Sequence, residues 1–233
     1  ALLLLSHRGT KRYTSTVVQR ARAAGVPTVQ ISGRGSPGAD LETVEPETSA
    51  AFTASHLGAL ARLAQIATAL GADLGPLASV PGAVAEVLGR PPLGIEAPRR
   101  LLELTGAGPN QWTAAEGSLK VRETCGVAAE GLAVEQFLHG PSVALGEGDA
   151  LVVLDGGGPL RDRLVEVATL VESYGSRVHR FREDALGELL SVFPLTANVQ
   201  RLALELAEAL GRDPDAFGRD LPGRAEALGQ IVL

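Results

Sequence analysis

The stretch Leu101–Thr124, LLELTGAGPNQWTAAEGSLKVRET, decides the fold. Leu101–Leu104 is a short apolar run bounded by turn residues, which predicts a buried strand. Gly106–Asn110 supplies a glycine-bearing loop, and Trp112–Thr124 carries apolar residues at helical spacing. Strand, glycine loop and helix start in direct succession form the repeating unit of an α/β fold.

The same unit recurs outward in both directions. Downstream, the spacing predicts a strand at Ala150–Leu154 before Gly156-Gly157-Gly158 and a helix at Leu160–Ser173. A more polar strand at Ser176–Arg182 follows, then a mostly helical stretch over Leu186–Leu210 with a break near Pro194. Upstream, Leu2–Leu5 and Val26–Ile31 read as strands, Lys11–Ala24 as an amphipathic helix, Leu41–Val44 as a short strand and Ala50–Leu70 as a long helix. Between Gly71 and Pro98 the alternation gives way to Gly and Pro around one short helix, Ala83–Leu88, so this segment is expected as a linker. The tail from Gly211 to Leu233 shows little regular pattern. The expectation is an α/β chain with mostly parallel sheets covered on both faces, divided as 1–72, a linker with a short helix at 73–97, 98–213, and a tail at 214–233.

Composition narrows the function. A chain of 233 residues that is 45% hydrophobic can bury one large core or two smaller ones. Aromatics are only 3%, so Ala, Leu and Val must fill it. A net charge of −6 lacks the basic footprint of a nucleic-acid binder. Cys125 is the one cysteine, which leaves no intramolecular disulfide and makes a reducing, cytoplasmic setting the default. Ala1–Leu5 is too short an apolar run to span a membrane or serve as a signal core, so no membrane partner is expected. The chain opens inside a strand without an initiating Met, so upstream sequence is expected.

Three clusters carry chemistry. In Ser6-His7-Arg8-Gly9-Thr10-Lys11, Thr10 can cap the following helix and Gly9 lets the backbone approach a ligand. Arg8, Lys11 and Arg12 place positive charge where free amides and the helix dipole already favour an anion. The pattern fits a phosphate or carboxylate site; it is also what a capped helix beside solvated basic residues would show. On the Trp112–Thr124 helix, with Trp112 as origin, Leu119 falls at about 340°, Glu123 at about 20°, Glu116 at about 40° and Lys120 at about 80°. Glu123 is thus expected inside an apolar sector, where burial raises a carboxyl pKa toward the range useful for proton transfer. A salt-bridged stripe on an exposed helix is the alternative. Finally, His139 precedes Gly140-Pro141 at a forced turn, with its imidazole available to a pocket. His7, His56 and His179 show no ligand spacing with it, so no metal site and no cofactor is expected.

From Gly106 to Pro141 the chain carries a G-x-G loop, E-G-S-L-K-V-R-E at Glu116–Glu123, and a turn ending in His139-Gly140-Pro141. This combination resembles the second domain of proteins with two sugar-isomerase (SIS) domains, the family that includes the isomerase half of glucosamine-6-phosphate synthase. Ser6–Thr14 and Ala51–Ser55 resemble the first such domain more loosely. The resemblance implies two flavodoxin-like, three-layer domains, the first incomplete at its N-terminus and without a glutaminase domain in this chain. It implies aldose–ketose isomerisation of a phosphorylated, amino-type sugar through an enediol, with deamination or non-catalytic sensing as alternatives. It gives Glu123 the proton shuttle, His139 ring opening across the interface of a homodimer, and Lys120 a supporting part. Ser6 and Gly9, with Arg8, Thr10 and Lys11, fall on the phosphate loop, and Thr53 on a ligand-contacting helix position. Two departures stand out. Arg8 and Lys11 replace hydroxyl residues of the family loop, and Asp220–Arg224 lacks the tail lysine of the synthase, which argues against amination by that route.

Overall fold

The computed structural model describes residues 1–230 and divides them into two compact units, 1–73 with 221–230, and 74–220. The first unit holds strands β1 (Leu2–Leu5), β2 (Thr28–Ser32) and β3 (Leu41–Glu42) in one parallel sheet of that order, with Leu2 opposite Thr28 and Ile31 opposite Leu41. Helix α1 (Arg12–Ala23) connects β1 to β2, and α2 (Ala54–Ala69) follows β3. Its few buried apolar residues are Val18, Ile31, Ala51 and Ala64.

The second unit opens with α3 (Val80–Leu88), followed by β4 (Leu101–Gly106), α4 (Asn110–Cys125), β5 (Ala128–Ala133) and α5 (Val134–Leu138). After these come β6 (Ala150–Asp155), α6 (Arg161–Ser173), β7 (Arg177–Arg182) and α7 (Val192–Ala209). All four strands are parallel, in the order β5-β4-β6-β7. Alternate residues of each strand feed two cores, as a half-turn per residue requires. Leu102, Leu104, Val152 and Leu154 pack with α4 and α7 on one face. Leu151 and Val153 pack with α5 and α6 on the other, around Phe137 and Val167. The result is a helix–sheet–helix sandwich, and β1 and β4 belong to different sheets.

Glycine sets how closely α4 lies on the sheet. A Cβ at Gly117 would stand 2.7 Å from Leu104 Cδ2 and 2.9 Å from Val199 Cβ, and one at Gly131 of β5 would collide with the Ala114 carbonyl. Gly126 ends α4 at φ +68°, its amide donating to the Arg122 carbonyl at 3.2 Å.

Several expectations need correction. Pro194 does not break a helix: it sits in the first turn of α7, where a missing N–H costs nothing. β5 and α5 were not expected, because Ala-Ala-Glu-Gly-Leu-Ala has little β propensity. The tail carries a short helix, α8 (Arg224–Gly229), while Ile231–Leu233 lie outside the described residues. The short helix expected at Ala83–Leu88 is α3, three residues longer at its start, and its Val87 carbonyl accepts a 2.9 Å bond from Arg201 on α7. One charge enters the sheet itself. Glu103, between Leu102 and Leu104 on β4, is 1% exposed; its Oε2 finds no partner, and its register neighbour on β5 is Glu130.

Candidate functional site

In the first unit the loops after β1, β2 and β3 meet at the carboxyl ends of the strands, where ligands of open α/β sheets bind. Gly33 N donates to His7 O at 2.8 Å, and Ser36 Oγ to the same carbonyl at 3.2 Å. Gly9 adopts φ +66°, and a Cβ there would lie 2.6 Å from Pro37 O, so the close approach read from the sequence is real but is made to protein. Ser6 Oγ and His7 Nδ1 are both buried without a hydrogen-bond partner. Thr10 does not cap α1. Lys11 occupies the N-cap position at φ −64° and ψ 135°, and no side chain bonds the first turn, because Thr10 stands one residue too early. Arg8, Thr10 and Lys11 are exposed, so the helix start is an uncapped, cationic terminus.

Glu47 was not anticipated, and it organises this edge. Its carboxylate accepts from Thr53 N (3.0 Å), Thr53 Oγ1 (2.9 Å), Ala54 N (3.2 Å), Ser55 N (2.8 Å) and Ser55 Oγ. An anion on free amides at a helix N-terminus is a stable pairing. Partial burial alone would raise the Glu47 pKa, but the bonds from Ser55 and Thr53 hold it at about 2. Its backbone completes the tie: Glu47 N donates to His7 Nε2 at 3.2 Å, and Arg8 Nη2 donates to Glu47 O at 3.2 Å. Thr53 is therefore engaged by an internal carboxylate, which a ligand reaching it would displace. An acid shortly before a helix start was the available sequence signal.

In the second unit Lys120 Nζ lies 2.6 Å from Glu123 Oε2 and 3.6 Å from Glu116 Oε1. The three side chains are 5%, 16% and 10% exposed respectively. The geometric ground for Glu123 needs correction. Trp112 is 72% exposed and Leu119 39%, so the sector they mark points outward. The buried face of α4 runs through Thr113, Ala114, Gly117, Val121 and Thr124, and of the three charges Lys120 lies nearest it. Burial pushes the Glu116 pKa to about 7, with Lys120 opposing and Glu123 adding to the rise. The carboxyl poised near neutrality is thus Glu116. An ammonium between two shielded carboxylates can hold one negative charge while passing a proton to or from the other.

His139 stands apart from this cluster. It follows α5 and is exposed, its amide donating to Glu135 O at 3.1 Å, so the chain presents it outward at the turn before Gly140. The loops after β4 and β6 mark the point where strand order reverses, the place where open α/β sheets bind ligands. It is filled. Asn110 Nδ2 donates to Ser191 Oγ at 2.9 Å inside it, and the Glu188 carboxylate abuts Gly108 and Gly158 so closely that a Cβ on either would collide with it. A phosphate there would meet a carboxylate. Among the described residues no three His, Cys, Asp or Glu side chains converge as metal ligands, and no helix is long and apolar enough to cross a membrane.

No family model matches the chain. It is 28% identical over 207 residues to the glutamine–fructose-6-phosphate aminotransferase (isomerizing) of Thermus thermophilus, a match covering 73% of the chain and 34% of the relative. To the Thermococcus kodakarensis enzyme of the same name it is 31% identical over 124 residues, covering 47% and 21%. The chain thus spans between about a fifth and about a third of the length of these curated relatives. Among solved structures it superposes on glucosamine-6-phosphate deaminase from Thermotoga maritima with a TM-score of 0.75 at 19% identity, covering 92% of this chain and 72% of that one. Tagatose-6-phosphate ketose/aldose isomerase from Escherichia coli gives 0.75 at 19%, covering 92% and 70%. The fold is that of these phosphosugar enzymes.

Proposed function

We propose that the chain binds a phosphorylated, amino-type sugar and interconverts its aldose and ketose forms through an enediol. The Glu116–Lys120–Glu123 cluster carries this reading, because it puts two carboxylates and an ammonium together at low exposure. Glu123 takes the proton from C2 of the open-chain aldose and returns it to C1, while a proton passes from O2, or from N2 of a 2-amino sugar, to O1 with Glu116 and Lys120 as its relay. No oxidant is consumed; a 2-hydroxy aldose gives its ketose with nothing leaving, and a 2-amino aldose gives the ketimine, which takes up water to yield ketose and ammonia. In the first unit, Ser6, Arg8, Gly9, Thr10 and Lys11 are the residues that on this reading bind a phosphate, with Thr53 reached on displacement of Glu47. His139 opens the sugar ring from a neighbouring copy, a reading supported by its outward position and by the exposure of Trp112, Leu119 and Val143 in the single chain. The two SIS-type domains of this reading correspond to 1–72 and 98–213.

Turnover of glucose-6-phosphate to its ketose, measured beside ketose and ammonia formation from glucosamine-6-phosphate, tests it. Glu123→Gln keeps the shape and removes the base, so kcat is expected to fall by a factor on the order of 10²–10⁴ with little change in binding. An equal loss from Leu119→Ala would refute the assignment. Ketose and ammonia formed from glucosamine-6-phosphate, with glucose-6-phosphate left unchanged, would identify a deaminase. The resident Glu47 favours a second reading, a sensor that binds without turning over. Tight binding of glucosamine-6-phosphate with no product would establish that instead.

A further inference from the structure

β7 closes the four-stranded sheet, with β6 on one side and, among the described residues, no strand on the other. Arg177 N donates to Asp149 O at 3.1 Å and Glu183 N to Asp155 O at 3.0 Å. In a parallel ladder the N–H and C=O of one residue face the same side, and successive residues alternate. The odd-numbered residues therefore bond to β6, and Val178, Arg180 and Arg182 turn their backbone groups outward. They open onto a groove of about 610 Å³ whose other wall is the extended run through Pro91, Leu93 and Ile95. Cavities of roughly 300–1,000 Å³ hold ligands and short peptide segments.

The charged side chains lining the groove are mostly positive, four arginines against Glu183, which pairs with Arg90. Arg180 and Arg182 are 46% and 61% exposed, and Arg90 and Arg201 line the same groove. Arg180 pairs with Glu172 at 2.8 Å and Arg182 with Asp184 at 2.9 Å. Surface pairs of this kind are weak and exchange readily. On the opposite face of β7, Phe181 belongs to the apolar core together with Ile95.

We propose that the outer edge of β7 receives an extended acidic segment of a partner protein as a fifth strand. Its carboxylates would alternate over Arg180 and Arg182, and small apolar side chains between them would face Phe181 and Ile95. Main-chain bonds supply affinity in such strand addition, and alternate side chains supply selection. A second copy of β7 would set Arg180 and Arg182 against their own kind, and like charges across a strand pair oppose pairing. The inference does not depend on the sugar-phosphate reading.

An acetylated, amidated octapeptide alternating glutamate and valine, titrated into the full chain, tests it beside its lysine–valine counterpart. The glutamate peptide is expected to slow amide exchange at Val178, Arg180 and Arg182. Joint Arg180→Glu and Arg182→Glu substitution is expected to weaken it by about tenfold or more and to transfer preference to the lysine peptide. The milder Arg180→Gln with Arg182→Gln, expected to give a smaller loss, covers misfolding of the reversed variant. Equal binding of both peptides, protection confined to other amides, or displacement of the peptide by inorganic phosphate would overturn the proposal. So would dimerisation through β7.

Discussion

Glu103 offers a test in which the structure sets both size and sign. Burial pushes its pKa to about 8, and the charge of Glu130 adds to the rise. The unfolded chain ionises the same carboxyl near 4.5. Because the folded value is the higher one, the group's contribution is most favourable below about pH 4.5. It is lost progressively as pH rises to about 8, and is constant above. At 1.36 kcal/mol per pKa unit this window corresponds to roughly 3–5 kcal/mol. Glu103→Gln removes the titration and keeps the volume. Its amide brings a donor into a site where Oε2 already lacks a partner, a pH-independent cost of about 1–3 kcal/mol. Urea unfolding of both proteins at intervals between about pH 5 and 8 separates the two effects, since Glu116 titrates in both and cancels. The stability of the unsubstituted chain relative to the variant is expected to fall with a slope approaching 1.4 kcal/mol per pH unit. A difference that stays flat across the window would refute the reasoning.

Other outcomes follow from the site. Glu47→Gln should lower stability by about 1–2 kcal/mol at neutral pH, through its weaker hold on the α2 terminus. For the unsubstituted chain the Glu47 contribution is present above about pH 4.5 and lost as pH falls toward 2; melting temperatures across that range read it out. Lys11→Ala should weaken calorimetric binding of glucosamine-6-phosphate by about 1–3 kcal/mol, and unchanged affinity would return Lys11 to the status of a solvated helix start. If Glu116 must be ionised to accept the hydroxyl proton, kcat should rise through about pH 7 and that limb should vanish in Glu116→Gln. A limb that survives in the variant belongs to another group.

The alternation of apolar runs with glycine loops was legible because parallel strands buried on both faces read as continuous hydrophobic stretches, as Leu101–Leu104 and Ala150–Leu154 do. β5 was not, because its residues suit the close approach of α4 rather than a strand scale: Gly131 lies where the Ala114 carbonyl passes. The direction of α4 was misread for a related reason. Its buried face includes Asn110, Thr113, Ser118, Lys120 and Thr124, all satisfied locally, while Trp112 and Leu119 face outward. Apolar periodicity cannot register a face held by hydrogen bonds. The identities of Lys120, Glu123 and Glu116 were readable from the E-G-S-L-K-V-R-E pattern; which carboxyl sits near neutrality depends on burial, and that is a tertiary quantity. Glu47 and Glu188 look in sequence like ordinary loop acids, and their importance lies in the amides and glycines that fold around them.

The contacts at Gly117 and Gly131 also bear on how such a site could move. A helix seated against β5 main chain at Gly131 and against the Leu104 and Val199 side chains at Gly117 has little slack for rolling or sliding, since one displacement drives main chain into main chain and the other drives α4 into packed side chains. The bench that holds Glu116, Lys120 and Glu123 is bolted down at two points. On the proposed reading, any movement in the second unit that accompanies turnover falls to lighter parts such as the turn bearing His139. Gly117→Ala, which would wedge the bench by about 1–3 kcal/mol of strain, should damage the chemistry without touching a single charged group.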